Sequence, residues 1–188
     1  MIYLYGILFS QIIALFGIRL GYHRYLSHNE FKAGPLYETV VIFLGIFSGA
    51  RSPLTWVGIH RMHHEHSDTE KDPHSPKHKG FFTVLFSTWK VDSVSRKHIR
   101  DVIKNPRVKF FHNYWKHIWF SSAVILILID ITAFIAFWII PFIINQIAFG
   151  VLNTFGHKDG KPSHSYFAHL LTAGEGNHKL HHERRHDT

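Results

Sequence analysis

Nine of the 18 histidines in this chain fall into four short groups that are separated by long apolar stretches. In chain order the groups are His23 and His28; His60, His63 and His64; His157; and His178, His181 and His182. Imidazole is the commonest metal ligand in proteins, and this many imidazoles would not be buried together without an ion to bind. The fold is therefore expected to bring distant segments together at a metal centre that lies against a lipid bilayer.

The amino-acid composition narrows the kind of metal centre. Cysteine is absent from the 188 residues, which excludes disulfides, haem–thiolate ligation and iron–sulfur clusters held by their usual thiolates. A redox metal must then be bound by histidine and carboxylate. The formal net charge is +8, but the basic residues form no recognisable nucleic-acid motif and share their segments with the histidines. We therefore expect no nucleic-acid partner and attribute the charge to membrane topology.

The first apolar segment, residues 2–20, carries a single charge at Arg19. It is just long enough to cross a hydrocarbon core of about 30 Å as a helix. A signal peptide is the alternative, but the segment lacks a basic leading region and a small-residue cleavage site. We expect a membrane span here.

A second apolar block, residues 118–153, is too long for one span. It predicts a hairpin of two membrane helices, at 112–129 and 132–153, that turns near Asp130 on the far side of the bilayer. The shorter apolar run at 36–50 is expected to form a buried or interfacial helix that returns to the same side, because a crossing there would put the first two histidine groups on opposite faces.

The basic residues orient this topology of about three transmembrane helices. Of the 21 lysines and arginines, 13 lie between Arg51 and Lys116, and none lies in 118–157. Because cytoplasmic loops are enriched in lysine and arginine, the histidine side is expected to face the cytoplasm.

The predicted architecture is an all-α, multi-pass integral membrane protein with a single domain, 1–188. The segments outside the spans, 21–111 and 154–188, carry all nine grouped histidines and are expected to hold a histidine-ligated dimetal centre on the cytoplasmic side.

Two motifs of the form HxxHH place three histidines at positions i, i+3 and i+4, which share one face of a helix. The motifs are HRMHH, with His60, His63 and His64, and HKLHH, with His178, His181 and His182. One such motif can arise by chance in a histidine-rich chain. Two of them predict two tripods of metal ligands.

His23 and His28 are five residues apart, which on a regular α-helix points their side chains about 140° away from each other. They can converge only if the helix ends between them. Their position just past the first span favours this interpretation. The alternative is a pair of interfacial histidines near lipid headgroups.

Asn153 and His157 lie four apart at the cytoplasmic end of the last predicted span, and are expected to share one helical face. An asparagine near a helix end is often a cap. If both side chains instead point at the metal centre, they would supply one ligand directly and one through water.

Ligation by neutral imidazoles suits iron, copper or zinc, and nine ligands match two ions with four or five each. A pair of zinc ions would indicate hydrolysis, and a pair of irons would indicate oxygen activation. Embedding in the membrane favours two irons, because the expected substrate is an alkyl chain. Carboxylates that could orient the imidazoles are Glu65, Asp68, Asp72, Glu175 and Glu183. Surface or interfacial positions are expected for the remaining histidines: His66, His74, His78, His98, His112, His117, His164, His169 and His186.

Four segments of the chain, GYHRYLSHNEFKA, GIHRMHHEHSDTEKDPHSP, GVLNTFGH and GEGNHKLHH, together resemble the membrane fatty acid desaturases, in particular the acyl-CoA Δ9 (stearoyl-CoA) type. The resemblance implies three metal-ligand boxes. The first is His23 and His28, the second is His60, His63 and His64, and the third is His178, His181 and His182. It also implies that His157 is an additional ligand and that Asn153 reaches the metal through water. By the same resemblance, residues 21–111 and 154–188 form a cytosolic helical cap that holds the dimetal centre above the spans. Relatives usually begin with another membrane helix and continue past the last box, so the chain is expected to be shortened at both ends.

The reaction implied by this resemblance is the oxygen-dependent removal of two hydrogens from adjacent methylenes of a saturated acyl chain. Its cofactors are two iron ions, with molecular oxygen as co-substrate. The expected partners are a fatty acyl thioester (acyl-CoA first), membrane lipid, and an external electron donor, either a small haem electron carrier or a ferredoxin with its reductase. Alternatives are a hydroxylase of alkyl or sterol substrates, a metal-transporting membrane protein, and an inactive truncated relative that binds metal.

Overall fold

The structure, a computed structural model, describes residues 1–87 and 93–183 and is predominantly helical there. The longer helices are α1 (Ile2–Ser27), α2 (Pro35–Phe47), α3 (Pro53–His66), α6 (Pro106–Ile129) and α7 (Ile131–Phe155). The shorter helices are α4 (Pro76–Lys79), α5 (Phe81–Ser87), α8 (Tyr166–Leu171) and α9 (His178–Glu183). Two 3₁₀ turns, Arg96–His98 and Val102–Lys104, precede α6, and a small hairpin of β1 (His157–Lys158) and β2 (Lys161–Pro162) follows α7.

Two helices are long and apolar enough to cross a membrane, namely α1 and α7. Helix α6 covers the predicted span 112–129, but its first half carries basic and polar side chains. Its uncharged run, 118–129, includes Ser121 and Ser122 and is about 18 Å long at 1.5 Å per residue. The third span therefore stays a prediction.

The break between α6 and α7 lies at Asp130, where a turn was predicted. Asp130 has an extended backbone that ends α6, and its Oδ1 accepts a hydrogen bond from the Ala133 backbone N–H, 2.9 Å away, which caps α7. Capping of this kind satisfies a donor that a helix N-terminus leaves without an internal partner.

Helix α2 packs along the second half of α1. The contact depends on glycine, since a Cβ added to Gly17 would lie 2.6 Å from the backbone nitrogen of Gly45. The Tyr22 hydroxyl donates a hydrogen bond of 3.2 Å to the carbonyl of Ile42. Because α2 has 13 residues and is only about 20 Å long, its length suits the predicted buried helix better than a span.

Arg61 on α3 fixes that helix against the end of α1. Its guanidinium donates to the carbonyls of Leu26, Ser27 and His98, and to both carboxylate oxygens of Asp101 at 2.6 and 2.9 Å. Carbonyls in the last turn of a helix lack internal partners, so one planar side chain satisfies several groups at once. This contact positions the histidines of α3 beside those of α1.

Replacing Gly6 with alanine is expected to destabilise the contact between α1 and α7. A Cβ at Gly6 would lie 2.1 Å from the carbonyl oxygen of Ala136, so the two helices would have to move apart. Overpacking of this kind costs about 1–3 kcal/mol. Thermal unfolding in detergent should show a lower Tm for Gly6→Ala than for the control Gly34→Ala, whose Cβ would meet nothing within 4 Å. Equal Tm values would contradict the close approach of these helices.

Candidate metal centre

A π-helical segment of α1, Ile13–Ser27, brings His23 and His28 together. In a π-helix each hydrogen bond spans five residues, and the backbone N–H of His28 donates to the carbonyl of His23 at 3.1 Å. The two rings are therefore neighbours, with centroids 4.9 Å apart. Helix α1 ends at Ser27, between the two histidines as expected, but the convergence comes from the wider π-helical turn and not from that end.

The nine histidines form two clusters. Within each cluster, one ring nitrogen per histidine lies within 4.8 Å of the others. Cluster A comprises His23, His28, His60, His64 and His181. Cluster B comprises His63, His157, His178 and His182.

Each HxxHH motif is divided between the clusters, so the two predicted tripods do not exist as units. His60 and His64, one turn apart on α3, belong to cluster A, whereas His63 faces cluster B. On α9 the assignment is reversed, because the pair His178 and His182 belongs to cluster B and His181 to cluster A. Helix α3 thus contributes two histidines to cluster A and one to cluster B, whereas α9 contributes one to cluster A and two to cluster B.

The Nε2 atoms of cluster A converge. Nε2 of His181 lies 2.9 Å from Nε2 of both His23 and His64, and Nε2 of His28 lies 2.9 Å from Nε2 of His60. Trp56 stacks on His60 with centroids 4.8 Å apart and covers this cluster on one side.

Cluster B repeats this geometry. Nε2 of His178 lies 2.8 Å from Nε2 of His157 and 3.1 Å from Nε2 of His182. Nε2 of His63 is buried and has no hydrogen-bond partner among the described residues.

Three carboxylates hold the opposite nitrogens of the rings. Nδ1 of His63 lies 2.8 Å from Asp72, Nδ1 of His157 lies 2.8 Å from Asp68, and Nδ1 of His23 lies 2.7 Å from Glu175. A neutral imidazole has one N–H. In these three rings the carboxylate lies beside Nδ1 and therefore holds the N–H at that nitrogen. The lone pair of Nε2 is then directed into the cluster, as in the carboxylate–histidine–metal arrangement.

The other two carboxylates proposed from the sequence are not seen in this role. Glu65 is hydrogen-bonded to Lys97 and His98, away from both clusters. The side chain of Glu183 lies outside the described part of the chain.

The loop after α3 is folded around Asp72, whose side chain is fully buried. Its Oδ2 accepts from the backbone N–H of Asp68 and its Oδ1 accepts from that of His74, both at 2.8 Å. Asp68 has a positive φ of 60°, which aspartate tolerates better than most residues. Burial alone would raise the pKa of Asp72, but the hydrogen bond from His63 and the two backbone N–H groups lower it below its usual range.

The donor set fits metal ions. Two imidazole nitrogens bound at about 2.0–2.1 Å to one ion, at right angles to each other, are about 3 Å apart, and the spacings of 2.8–3.1 Å agree with this. A chain of hydrogen bonds explains the clusters less well, because His23 and His157 already direct their N–H groups to carboxylates. The unpartnered Nε2 of His63 points to the same conclusion.

Asn153 and His157 do not share a helical face as predicted. Helix α7 ends at Phe155, and His157 begins strand β1. Asn153 borders the cavity that reaches both clusters, together with His63 and His178. A water-mediated role for Asn153 stays a prediction.

Two histidines assigned to the surface are buried instead. His74 is 6% exposed and borders the cavity beside His63, with ring centroids 5.6 Å apart, and His98 is 8% exposed and hydrogen-bonded to Glu65. His74 follows Asp72 by two residues, so the DPH sequence was the available signal for it. His186 lies outside the described residues.

A cavity between α1, α3 and α7 reaches both clusters. Its apolar wall consists of Ala14, Ile18, Trp56, Ile59, Ala148, Phe149 and Leu152. Besides the histidines, four polar side chains line it: Asn145, Asn153, Thr172 and Glu175. Asn145 is buried and donates 2.8 Å to the carbonyl of Pro141. Because most of its wall is apolar, the cavity favours hydrocarbon over polar groups beside the imidazoles.

Burial holds the imidazoles in the neutral form that a metal requires. It lowers the pKa of His60, His64 and His178 well below the ordinary value of 6.5, and neighbouring imidazoles lower it further. Metal ligands must be deprotonated, so these sites are prepared for an ion near neutral pH.

The metal-free protein is therefore expected to lose stability as the pH falls below about 6.5. The unfolded chain takes up protons at these histidines below that pH while the folded chain does not, so the folding stability is complete above 6.5 and decreases towards lower pH. The loss is about 1 kcal/mol for each such histidine and each pH unit. Thermal unfolding of chelator-treated protein at pH 7.5, 6.5 and 5.5 should give a falling Tm; a Tm that rises or stays constant would contradict the depressed pKa values.

Comparison with known proteins agrees with this site. The sequence model of the family described as fatty acid desaturase matches residues 1–185. All nine clustered histidines lie within that match.

Several characterised proteins are similar to the chain over most of its length. An sn-1 stearoyl-lipid 9-desaturase of Anabaena variabilis is 28% identical over 88% of the chain. An acyl-CoA C20 Delta5-desaturase of Anemone leveillei is 28% identical over 91%, and an sn-1 stearoyl-lipid 9-desaturase of Synechocystis sp. is 30% identical over 88%. The chain spans only 65%, 59% and 56% of the lengths of these relatives.

Proposed function

The chain belongs to the fatty acid desaturase family, and we propose that it removes two hydrogens from adjacent methylenes of a saturated acyl chain, with oxygen and external electrons, to form a cis double bond and water. The observation that carries this proposal is the convergence of nine imidazoles into clusters of five and four at the end of an apolar cavity. The family supports oxidoreductase chemistry and a role in lipid metabolism.

We propose cluster A and cluster B as the ligand sets of two iron ions. Cluster A holds five imidazoles, which is more than the four ligands of a tetrahedral zinc site. Nε2 atoms that are about 3 Å apart would subtend right angles at the ion, which also suits a coordination number higher than four. When bound, two irons supply the activation of oxygen and the abstraction of hydrogen. Asn153 is proposed to contribute through a water molecule.

The chain's own residues position the substrate and the ligands. The apolar wall of the cavity holds the alkyl chain and excludes water, so that one C–C bond lies beside the clusters. Asp68, Asp72 and Glu175 keep the ring protons at Nδ1 of their histidines. Arg19 pairs with Glu175 at 3.1 Å and offsets the charge of that carboxylate.

The substrate is proposed to be a saturated fatty acyl thioester, with acyl-CoA first and the double bond at Δ9. The names of the relatives support both acyl-CoA and lipid-linked acyl groups as substrate classes. The histidine and carboxylate ligands of this chain are all assigned to one metal centre and leave no second redox centre. Electrons are therefore proposed to come from outside, from a small haem electron carrier or from a ferredoxin with its reductase.

The proposed topology has three spans, contributed by α1, the apolar half of α6, and α7. Both histidine clusters then face the cytoplasm, together with the lysine- and arginine-rich segments. The two candidate spans and the membrane association of the family support this arrangement.

The test is an assay of the anaerobically purified protein in detergent or nanodiscs, with oxygen, reductant, an electron carrier and either stearoyl-CoA or a stearoyl lipid. Gas chromatography of the fatty acids should show oleate from one of these substrates. A hydroxylated product would support the related hydroxylase chemistry instead. Bound iron with unchanged stearate from both substrates would contradict the proposed reaction.

A further inference from the structure

The hairpin that follows α7 concentrates positive charge. Its strands β1 and β2 are joined by Asp159 and Gly160, whose positive φ values of 55° and 71° form a tight two-residue turn. The antiparallel register pairs Lys158 directly with Lys161. Like charges in directly opposite positions destabilise a hairpin.

A third lysine lies over the same turn. A Cβ added to Gly160 would be 3.0 Å from Cδ of Lys77 and 3.6 Å from its Nζ. Lys77, Lys158 and Lys161, termed here the hairpin lysine cluster, are all exposed. Within the described part of the chain, none of these lysines forms an ion pair, that is, has a carboxylate oxygen within 4.0 Å of its Nζ. Asp159 lies at the turn itself.

Two lysines of the cluster, Lys77 and Lys158, border an open cleft with one apolar side, and Lys161 lies opposite Lys158 on the hairpin. Lys77, Lys158 and Asp159 line its polar edge, while Phe81 and Phe155 line its apolar edge, with ring centroids 5.6 Å apart. A ligand that fits both edges has an anionic group attached to hydrocarbon.

The cleft lies at the level of lipid headgroups if α7 spans the membrane. Helix α7 has 25 residues and is about 37 Å long, so its last turn extends beyond a hydrocarbon core of about 30 Å. Helix α5 lies against this end, since a Cβ at Gly150 would be 2.0 Å from the carbonyl of Leu85. It leaves Phe82 and Phe86 72% and 75% exposed, as expected for aromatic side chains at a membrane interface.

We propose that the hairpin lysine cluster binds the phosphate of an anionic phospholipid, whose acyl chains lie against Phe81, Phe155 and the exposed face of α5. This inference rests on the proposed membrane embedding of α7 and on no step of the desaturation reaction. A bound phosphate offsets the repulsion between Lys158 and Lys161. An acidic protein would satisfy the lysines too, but it would leave the neighbouring aromatic surface in contact with water, so the lipid accounts for both features.

The experiment measures thermal unfolding of the delipidated, metal-loaded protein in a neutral detergent. It is titrated with short-chain phosphatidylglycerol, phosphatidylcholine, inorganic phosphate or polyglutamate. Phosphatidylglycerol is expected to raise the Tm at lower concentration than phosphatidylcholine does. The triple variant Lys77→Gln, Lys158→Gln, Lys161→Gln should lose this difference, with the apparent affinity falling about fivefold for each lysine removed.

The matched control removes three exposed lysines elsewhere, as Lys32→Gln, Lys104→Gln, Lys109→Gln, and should behave like the parent. If the triple variant unfolds on purification, the single variant Lys161→Gln provides the same comparison. Equal responses to the two lipids, or an equal loss in the control, would overturn the proposal. Stabilisation by inorganic phosphate alone, or by polyglutamate in place of the lipid, would overturn it in favour of a soluble anion or an acidic protein. Metal content, measured in parallel, distinguishes failure here from failure of the proposed function.

Discussion

Replacing His63 with alanine is expected to abolish desaturation, lowering the rate by at least about a hundredfold, and to reduce bound iron to about one ion per chain. His63 is 1% exposed, and within the described parts of the chain its Nε2, directed into cluster B, has no hydrogen-bond partner. Its loss leaves three imidazoles there, whereas the five of cluster A remain. Metal analysis and product analysis on the same preparation measure both effects.

The control for this variant is His117→Ala, which removes an exposed histidine outside both clusters. It should keep the parent's iron content and activity. Helical content by circular dichroism separates loss of metal from loss of fold. A His63→Ala protein with full iron content and normal turnover would show that cluster B does not bind metal.

Replacing Asp72 with asparagine is expected to weaken metal binding by about 10- to 100-fold and to reduce activity in proportion. The Asp72 carboxylate accepts hydrogen bonds from Nδ1–H of His63 and from two backbone N–H groups. An asparagine has one acceptor oxygen in place of two and can present an N–H to a group that also donates. Competition with a chelator measures the affinity, and the specific activity follows in the same samples.

Glu65→Gln is the matched control, because Glu65 is hydrogen-bonded to Lys97 and His98 and contacts neither cluster. Glu175→Gln should reproduce the effect of Asp72→Asn through His23 in cluster A. If Asp72→Asn and Glu65→Gln bind metal equally well, the carboxylates do not orient the ligands.

The sequence predicts which histidines meet but not how they are divided. The spacing i, i+3, i+4 correctly places His60, His63 and His64 on one helix, and the same holds for the motif on α9. Which cluster each ring enters depends on where α1, α3 and α9 lie relative to one another. That arrangement is set by long-range contacts such as those of Arg61, which no local spacing encodes.

The errors in the prediction have local physical causes. α-Helical geometry predicts that His23 and His28 converge only where the helix ends, whereas π-helical hydrogen bonds bring residues five apart together before the helix ends at Ser27. His74 was assigned to the surface because it stands outside the paired spacings, yet the loop that wraps Asp72 buries it. Both features depend on the backbone conformation of a few residues.

The measurement that tests the central claim most directly is the metal content of the protein, purified anaerobically in detergent. Two clusters of five and four imidazoles predict about two irons per chain. The triple variant His60→Ala, His63→Ala, His64→Ala leaves three imidazoles in each cluster and should lose both irons, while His117→Ala keeps both. Zinc in place of iron, a single ion per chain, or iron that persists in the triple variant would contradict the assignment of these nine histidines as the ligands of a di-iron centre.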